Sequence, residues 1–172
     1  MAIAKAYTAQ LSGLDLEKIT VEVDISNGLH SFSVVGLGDR SVEEAKDRIG
    51  AAIKNIGYIS PKQKNQKVVI SLAPAHIRKE GSGFDLAMAM AYLVGAGDIE
   101  FEFENILFLG ELSLEGSVRK AYGVLPVPRS IVEEVSPVIA LLVKVKEAMA
   151  LVKKSKLRNI ARAMYDFCLD IT

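Results

Sequence analysis

The stretch Lys79–Gly97, KEGSGFDLAMAMAYLVGAG, leaves little freedom in how this chain can fold. A charged, glycine-rich approach from Lys79 to Gly83 turns at Phe84 into an apolar run that continues to Val94. Ala, Leu and Met are strong helix formers, and Gly95 and Gly97 supply the stop. A helix that is apolar all round must be buried all round, so this run is expected to be the central helix of one domain. Ser82 is placed to accept from first-turn N–H groups, and Asp85 to reach back to the Ser82 N–H, which makes a capping box. In that arrangement the Ser82 hydroxyl is occupied as a cap. The loop before the helix has room for a nucleophile or for nothing chemical.

One domain is what 172 residues suggest, enough to bury roughly 70% of the surface an unfolded chain exposes. The core must be built from Ile, Val, Leu, Ala and Met, because there is no Trp and aromatics make up 6%. Lys+Arg and Asp+Glu both total 21, so overall charge selects no partner and only local patches can. A single cysteine, Cys168, rules out an internal disulfide and suits a reducing cytoplasm. MAIAKAYTAQL has no signal-peptide core, and Leu86–Gly97 is too short to cross a bilayer about 30 Å thick, so no membrane partner is expected.

Along the chain, Ala4–Gln10 and Lys18–Ile25 read as strands, the second alternating Ile19, Val21, Val23 and Ile25 against Thr20, Glu22 and Asp24. Ser26-Asn27-Gly28 signals a turn and predicts a hairpin between that strand and Ser31–Val35. Ser41 with Glu44 forms a second capping box, opening a helix to about Asn55 whose stripe is Val42, Ala45, Ile49, Ala52, Ile53 and Ile56. Val68–Leu72 is a strand broken by Ala73-Pro74-Ala75, and Ile106–Leu109 another. Gly110–Arg119 reads as a hairpin with Glu115-Gly116 at its tip. Gly123 and Pro126 then introduce a helix to about Val135, followed by a strand at Pro137–Val143 and a helix at Val145–Lys153. Strands and helices interleave without a strict βαβ repeat, which predicts an α+β domain over 3–155, a mixed sheet with helices packed on it. Residues 156–172 read as a tail or linker.

Chemical motifs are sparse. Gly36-Leu37-Gly38-Asp39-Arg40-Ser41 follows a strand and opens a helix, yet it lacks the third glycine and the distal acid of a dinucleotide fingerprint. It reads as a tight turn. A phosphate-binding Gly-x-x-x-x-Gly-Lys-Ser/Thr string occurs nowhere. Gly81-Ser82-Gly83 opens a helix, but Asp85 already sits at its positive end and would repel an anion. His30 and His76 have no ligand-type residues at metal spacing, so no metal site is expected. Basic residues cluster at Lys62, Lys64 and Lys67, at Arg78 and Lys79, and between Lys144 and Arg162. Such clusters can meet DNA phosphates if they converge, although no aromatics interleave for base stacking.

Four stretches together resemble one family: Val21–Leu29, Val34–Tyr58, Val68–Leu93 and Leu107–Pro126. They are similar to the N-terminal domain of the ComM / YifB group of magnesium-chelatase-like AAA+ ATPases, in unbroken order. Gly38 stands where that family usually has Pro before Asp39, and Ala87 where Pro is common. The resemblance implies the fold of ribosomal protein S5 domain 2, shared with the Lon protease domain. It also implies a full-length protein that continues into a hexameric AAA+ domain using ATP and magnesium for DNA branch migration in natural transformation. Set against the Lon nucleophile loop, Gly83 stands where the catalytic serine would be, with Ser82 one position early. Leu125 stands at the lysine position, with Lys120 nearby. The expectation is a chain that is not itself an enzyme and holds no cofactor. The competing expectations are a Lon-like hydrolase using Ser82 with Lys79 or Lys120, and a plain oligomerisation module.

Overall fold

The alternation in Lys18–Ile25 carries into the structure with its phase intact. Ile19, Val21 and Val23 are buried, while Lys18 and Asp24 face solvent. The structure is a computed structural model describing residues 3–12, 15–100 and 107–119. In chain order the elements are β1 (Ala4–Ser12), β2 (Asp15–Asn27), β3 (Ser31–Val35), α1 (Arg40–Asn55), a 3-10 turn at Pro61–Gln63, β4 (Gln66–Ala73), α2 (Asp85–Gly95), β5 (Glu111–Leu112) and β6 (Val118–Arg119).

Four strands form one mixed sheet in the order β1-β2-β4-β3. β2 runs antiparallel to β1 and to β4, and β3 runs parallel to β4. The hairpin expected between β2 and β3 is therefore wrong. β4 takes the place beside β2, setting Ile70 opposite Val23 and Leu72 opposite Val21. Its inward residues Val68, Ile70 and Leu72 are all fully buried, and the most apolar strand gains most from a central position. Gly28 turns the chain towards the start of β4, its N–H donating to Asn65 O at 3.3 Å, and β3 then lands on the far edge.

Both helices cover one face of this sheet, α2 over β1 and β2, and α1 beside β3 and against α2. Every residue of α2 from Asp85 to Leu93 is buried, as an all-round apolar helix requires. The stripe on α1 is buried at Val42, Ala45, Ile49, Ala52 and Ile53. β5 and β6 form the expected hairpin, closed by Ser113 N–H donating to Ser117 O at 2.8 Å. Leu107 makes a single parallel bridge to Tyr7, and the Phe108 N–H donates to Tyr7 O at 2.8 Å. The mixed sheet with helices on it is the α+β class expected from sequence. Elements expected beyond residue 119, and with them the domain limit at 155, lie outside the described residues. No helix among the described residues is long and apolar enough to cross a membrane.

Both capping boxes are replaced. Helix α1 starts at Arg40, two residues earlier than a cap at Ser41 implies, so Asp39 is its N-cap and accepts from Val42 N–H at 3.0 Å. Ser41 already lies inside the helix, and Glu44 pairs with Arg40 at 2.9 Å. Helix α2 starts at Asp85, with Phe84 as N-cap and no side-chain cap bond. Ser82 sits too far upstream, and its carbonyl accepts from Asp85 N–H at 3.3 Å.

Candidate functional site

The segment after β4 passes between the Gly36–Asp39 turn and the β5–β6 hairpin before it enters α2. Its entry is fixed by backbone pairing: Lys79 N–H donates to Leu37 O at 3.0 Å, and Asp39 N–H donates to Lys79 O at 2.9 Å. The turn that receives it needs glycine. Gly36 has φ +117, and a Cβ there would meet Leu72 O at 2.2 Å. Asp39 clamps the junction, capping α1 with one carboxylate oxygen and accepting from Gly81 N–H at 3.1 Å with the other.

Lys79 is fully buried and its amine donates to the carbonyl of Pro74. Burial without a carboxylate partner pushes its pKa below the ordinary lysine value. The Ser82 hydroxyl donates to the Glu111 carboxylate, whose other oxygen lies 3.4 Å from Arg119 Nη1. The expected role of Ser82 as a cap is thus corrected, since its oxygen bonds a side chain of the hairpin instead of the helix backbone.

Asp85 is the second fully buried ionisable side chain of the site. Its carboxylate accepts from Arg48 Nε at 2.7 Å, from Arg48 Nη2 at 3.0 Å and from Leu112 N–H at 3.2 Å. Burial pushes the Asp85 carboxyl up while Arg48 pulls against it. The same pair raises the Arg48 pKa further. Arg48 Nη2 also donates to Ser41 O at 2.9 Å, tying α1, α2 and β5 at one point.

The sequence-derived candidates divide accordingly. Ser82, Lys79 and Asp85 share one loop, but Lys79 and Ser82 direct their functional groups to different partners. Lys120 and Leu125 lie outside the described residues. Among the basic positions, Lys62 pairs with Asp47, Lys64 with Asp98 and Arg78 with Glu80. Lys67 is exposed and has no ion pair among the described residues. Lys79 cannot serve as a DNA contact, because its whole side chain is inside the fold. Sequence reasoning missed Asp39, Arg48 and Glu111. An Asp just before an apolar-periodic run was a usable cap signal for the first. The other two bond across 37 and 29 residues, where no local pattern reaches.

A Ser-Lys dyad needs a hydroxyl within hydrogen-bond reach of a neutral amine. Lys79 has a pKa shifted in the direction a base requires, but its amine is engaged with Pro74. The arrangement holds three elements together, with the Ser82 hydroxyl and the Lys79 amine each engaged by a different partner.

Comparison with known proteins agrees with the resemblance read from sequence. The sequence model of the family described as "Subunit ChlI of Mg-chelatase" matches residues 21–141. An uncharacterized protein of Mycobacterium tuberculosis is 41% identical over 127 residues, covering 73% of this chain and 25% of that protein. The uncharacterized protein YifB of Salmonella typhimurium is 40% identical over 124 residues, covering 72% and 24%. The competence protein ComM of Haemophilus influenzae is 34% identical over 127 residues, covering 73% and 24%. The chain thus spans about a quarter of the length of the curated relatives it matches. With most of its length matched by that one model, the chain belongs to the family of the Mg-chelatase subunit ChlI.

Proposed function

We propose that this chain is a non-catalytic N-terminal accessory domain of a larger, ComM-like, magnesium-chelatase-related AAA+ ATPase of the cytoplasm. The observation that supports this most is the separation of Ser82 and Lys79, one donating to Glu111 and the other to Pro74 O. A relative carries the name competence protein, and in this proposal the whole protein acts likewise on DNA, by branch migration during natural transformation.

The family implies ATP and magnesium, and the residues present fit neither group. The sequence has no phosphate-binding loop string, and no three His, Cys, Asp or Glu residues converge among the described residues. In this proposal both groups belong to the AAA+ domain, in the same polypeptide or complex, assembled as a hexamer. This domain contributes contacts, to neighbouring copies or to DNA.

Hydrolysis of a fluorescent casein and of a nitrophenyl ester by the purified chain tests the reading. No turnover that depends on Ser82 is expected, and turnover abolished by Ser82→Ala would establish the hydrolase instead. Anisotropy of a labelled duplex across a salt series then separates DNA contact from assembly. A steep salt slope that flattens when Lys62, Lys64 and Lys67 are replaced marks DNA contact.

A further inference from the structure

The middle of α1 contains a glycine that the fold does not ask for. Gly50 is buried inside the 16-residue helix, where glycine is less stable than alanine. Its φ is not left-handed, and a Cβ built on it would meet only Ser60 Oγ, at 3.6 Å, an ordinary contact. Neither backbone nor packing excludes alanine. What the missing methyl leaves is room: Gly50 lines a cavity of about 150 Å³ between α1, the start of β3 and the Pro61–Gln63 turn.

The cavity suits a small flat group with polar edges. Its inner surface is Gly50 and Pro61, both buried, and the half-buried Phe32, whose ring lies 6.4 Å from that of Tyr92. Its outer residues are polar, with His30, Asp47 and Lys62 exposed and Lys46 half-buried. The volume is below the roughly 300 Å³ at which pockets for drug-sized ligands begin, so one ring fits and a whole cofactor does not. The rim offers both kinds of partner. Lys62 donates to Asp47 Oδ1 at 2.7 Å, which leaves Oδ2 to accept from an incoming amine. Lys46 lies 3.8 Å from Glu43, beyond hydrogen-bond distance, so its ammonium is available to an anion. An apolar slot with an acceptor at its edge and ammonium groups outside it matches an aminated nucleobase carrying a phosphate.

We infer that the Gly50 cavity is a nucleotide site, seating one aminated base against Phe32 and Pro61 with its phosphate on Lys46 and Lys62. The base lies inside with its amine on Asp47, and the sugar and phosphate stay outside. Lys62 also belongs to the set Lys62, Lys64 and Lys67 proposed above for DNA contact. The inference rests on that reading for one point alone, that the nucleotide comes from a DNA strand, since a free nucleotide presents the same chemistry.

Anisotropy of labelled short single strands of dC or of dT, and calorimetry with dCMP and dTMP, test this on the full 172-residue chain. Cytosine presents its N4 amine to Asp47 where thymine presents the O4 acceptor, so dC should bind about tenfold tighter than dT, as strand and as mononucleotide. Asp47→Ala should erase that preference. Gly50→Ala should unfold at a higher urea concentration than the natural chain, yet bind dC about tenfold more weakly, because its methyl points into a one-ring slot. Binding of dCMP without affinity for any strand or duplex supports the site, makes the free nucleotide its ligand and removes DNA contact from the proposed function. Binding of duplex, with dC and dT strands bound equally and no more weakly by Gly50→Ala, leaves DNA contact standing and overturns the site. A Gly50→Ala chain less stable than the natural one also overturns it, since packing would then require the glycine. Failure of every probe to bind overturns both.

Discussion

Arg48 and Asp85 form a two-point ion pair where α1 meets the start of α2, with Nε to Oδ2 at 2.7 Å and Nη2 to Oδ1 at 3.0 Å. The two sides are not equivalent. The Asp85 side chain is 0% exposed, whereas that of Arg48 retains 20%.

That difference sets the first expectation. Arg48→Met strands a buried carboxylate and should cost about 3–5 kcal/mol in urea unfolding. Asp85→Asn leaves a guanidinium that can still find water, and should cost less, about 1–3 kcal/mol. The double variant should be more stable than the sum of the two losses implies. Equal costs for the single variants, or strict additivity, would show that the pair is not a coupled unit.

A second expectation concerns the start of α1. Asp39→Ala removes the helix cap and the bond to Gly81 N–H together, and should cost about 1–2 kcal/mol. Ser41→Ala should stay within about 0.5 kcal/mol, because Ser41 is no cap. Thermal or urea unfolding of the two variants side by side checks this, and a larger loss at Ser41 would reinstate the capping box.

Burial of Lys79 carries a pH signature. Its folded pKa lies below the ordinary 10.5, so between those two values the unfolded chain binds more protons than the folded one. Stability from this group therefore rises as pH climbs from the depressed value towards 10.5. Urea midpoints measured from neutral pH upward should rise more steeply for the natural chain than for Lys79→Met. Identical pH profiles would mean that the amine is not buried.

What sequence revealed follows from the range of the forces involved. The buried helix was legible because an apolar run from Phe84 to Val94 admits one physical environment. The α1 stripe and the β2 alternation were legible for the same reason, each being a periodicity within one element. Strand order was not. Ser26-Asn27-Gly28 signalled a turn correctly, but which strand fills the place beside β2 depends on β4, some forty residues on. The site shows the same division: the loop was visible, whereas Arg48 and Glu111 reach it only once the fold exists. Ser82 illustrates the cost of a local rule, since its spacing to Asp85 suggested a cap that Phe84 displaced by starting the helix later.

The most direct measurement is the reaction of the purified chain with a serine-directed fluorophosphonate, read by intact mass before and after Ser82→Ala. With the Ser82 hydroxyl held by Glu111 and the Lys79 amine held by Pro74, the natural chain should gain no adduct under conditions that label a serine hydrolase to completion. A stoichiometric adduct that disappears in Ser82→Ala would contradict the non-catalytic reading and make this loop an active site.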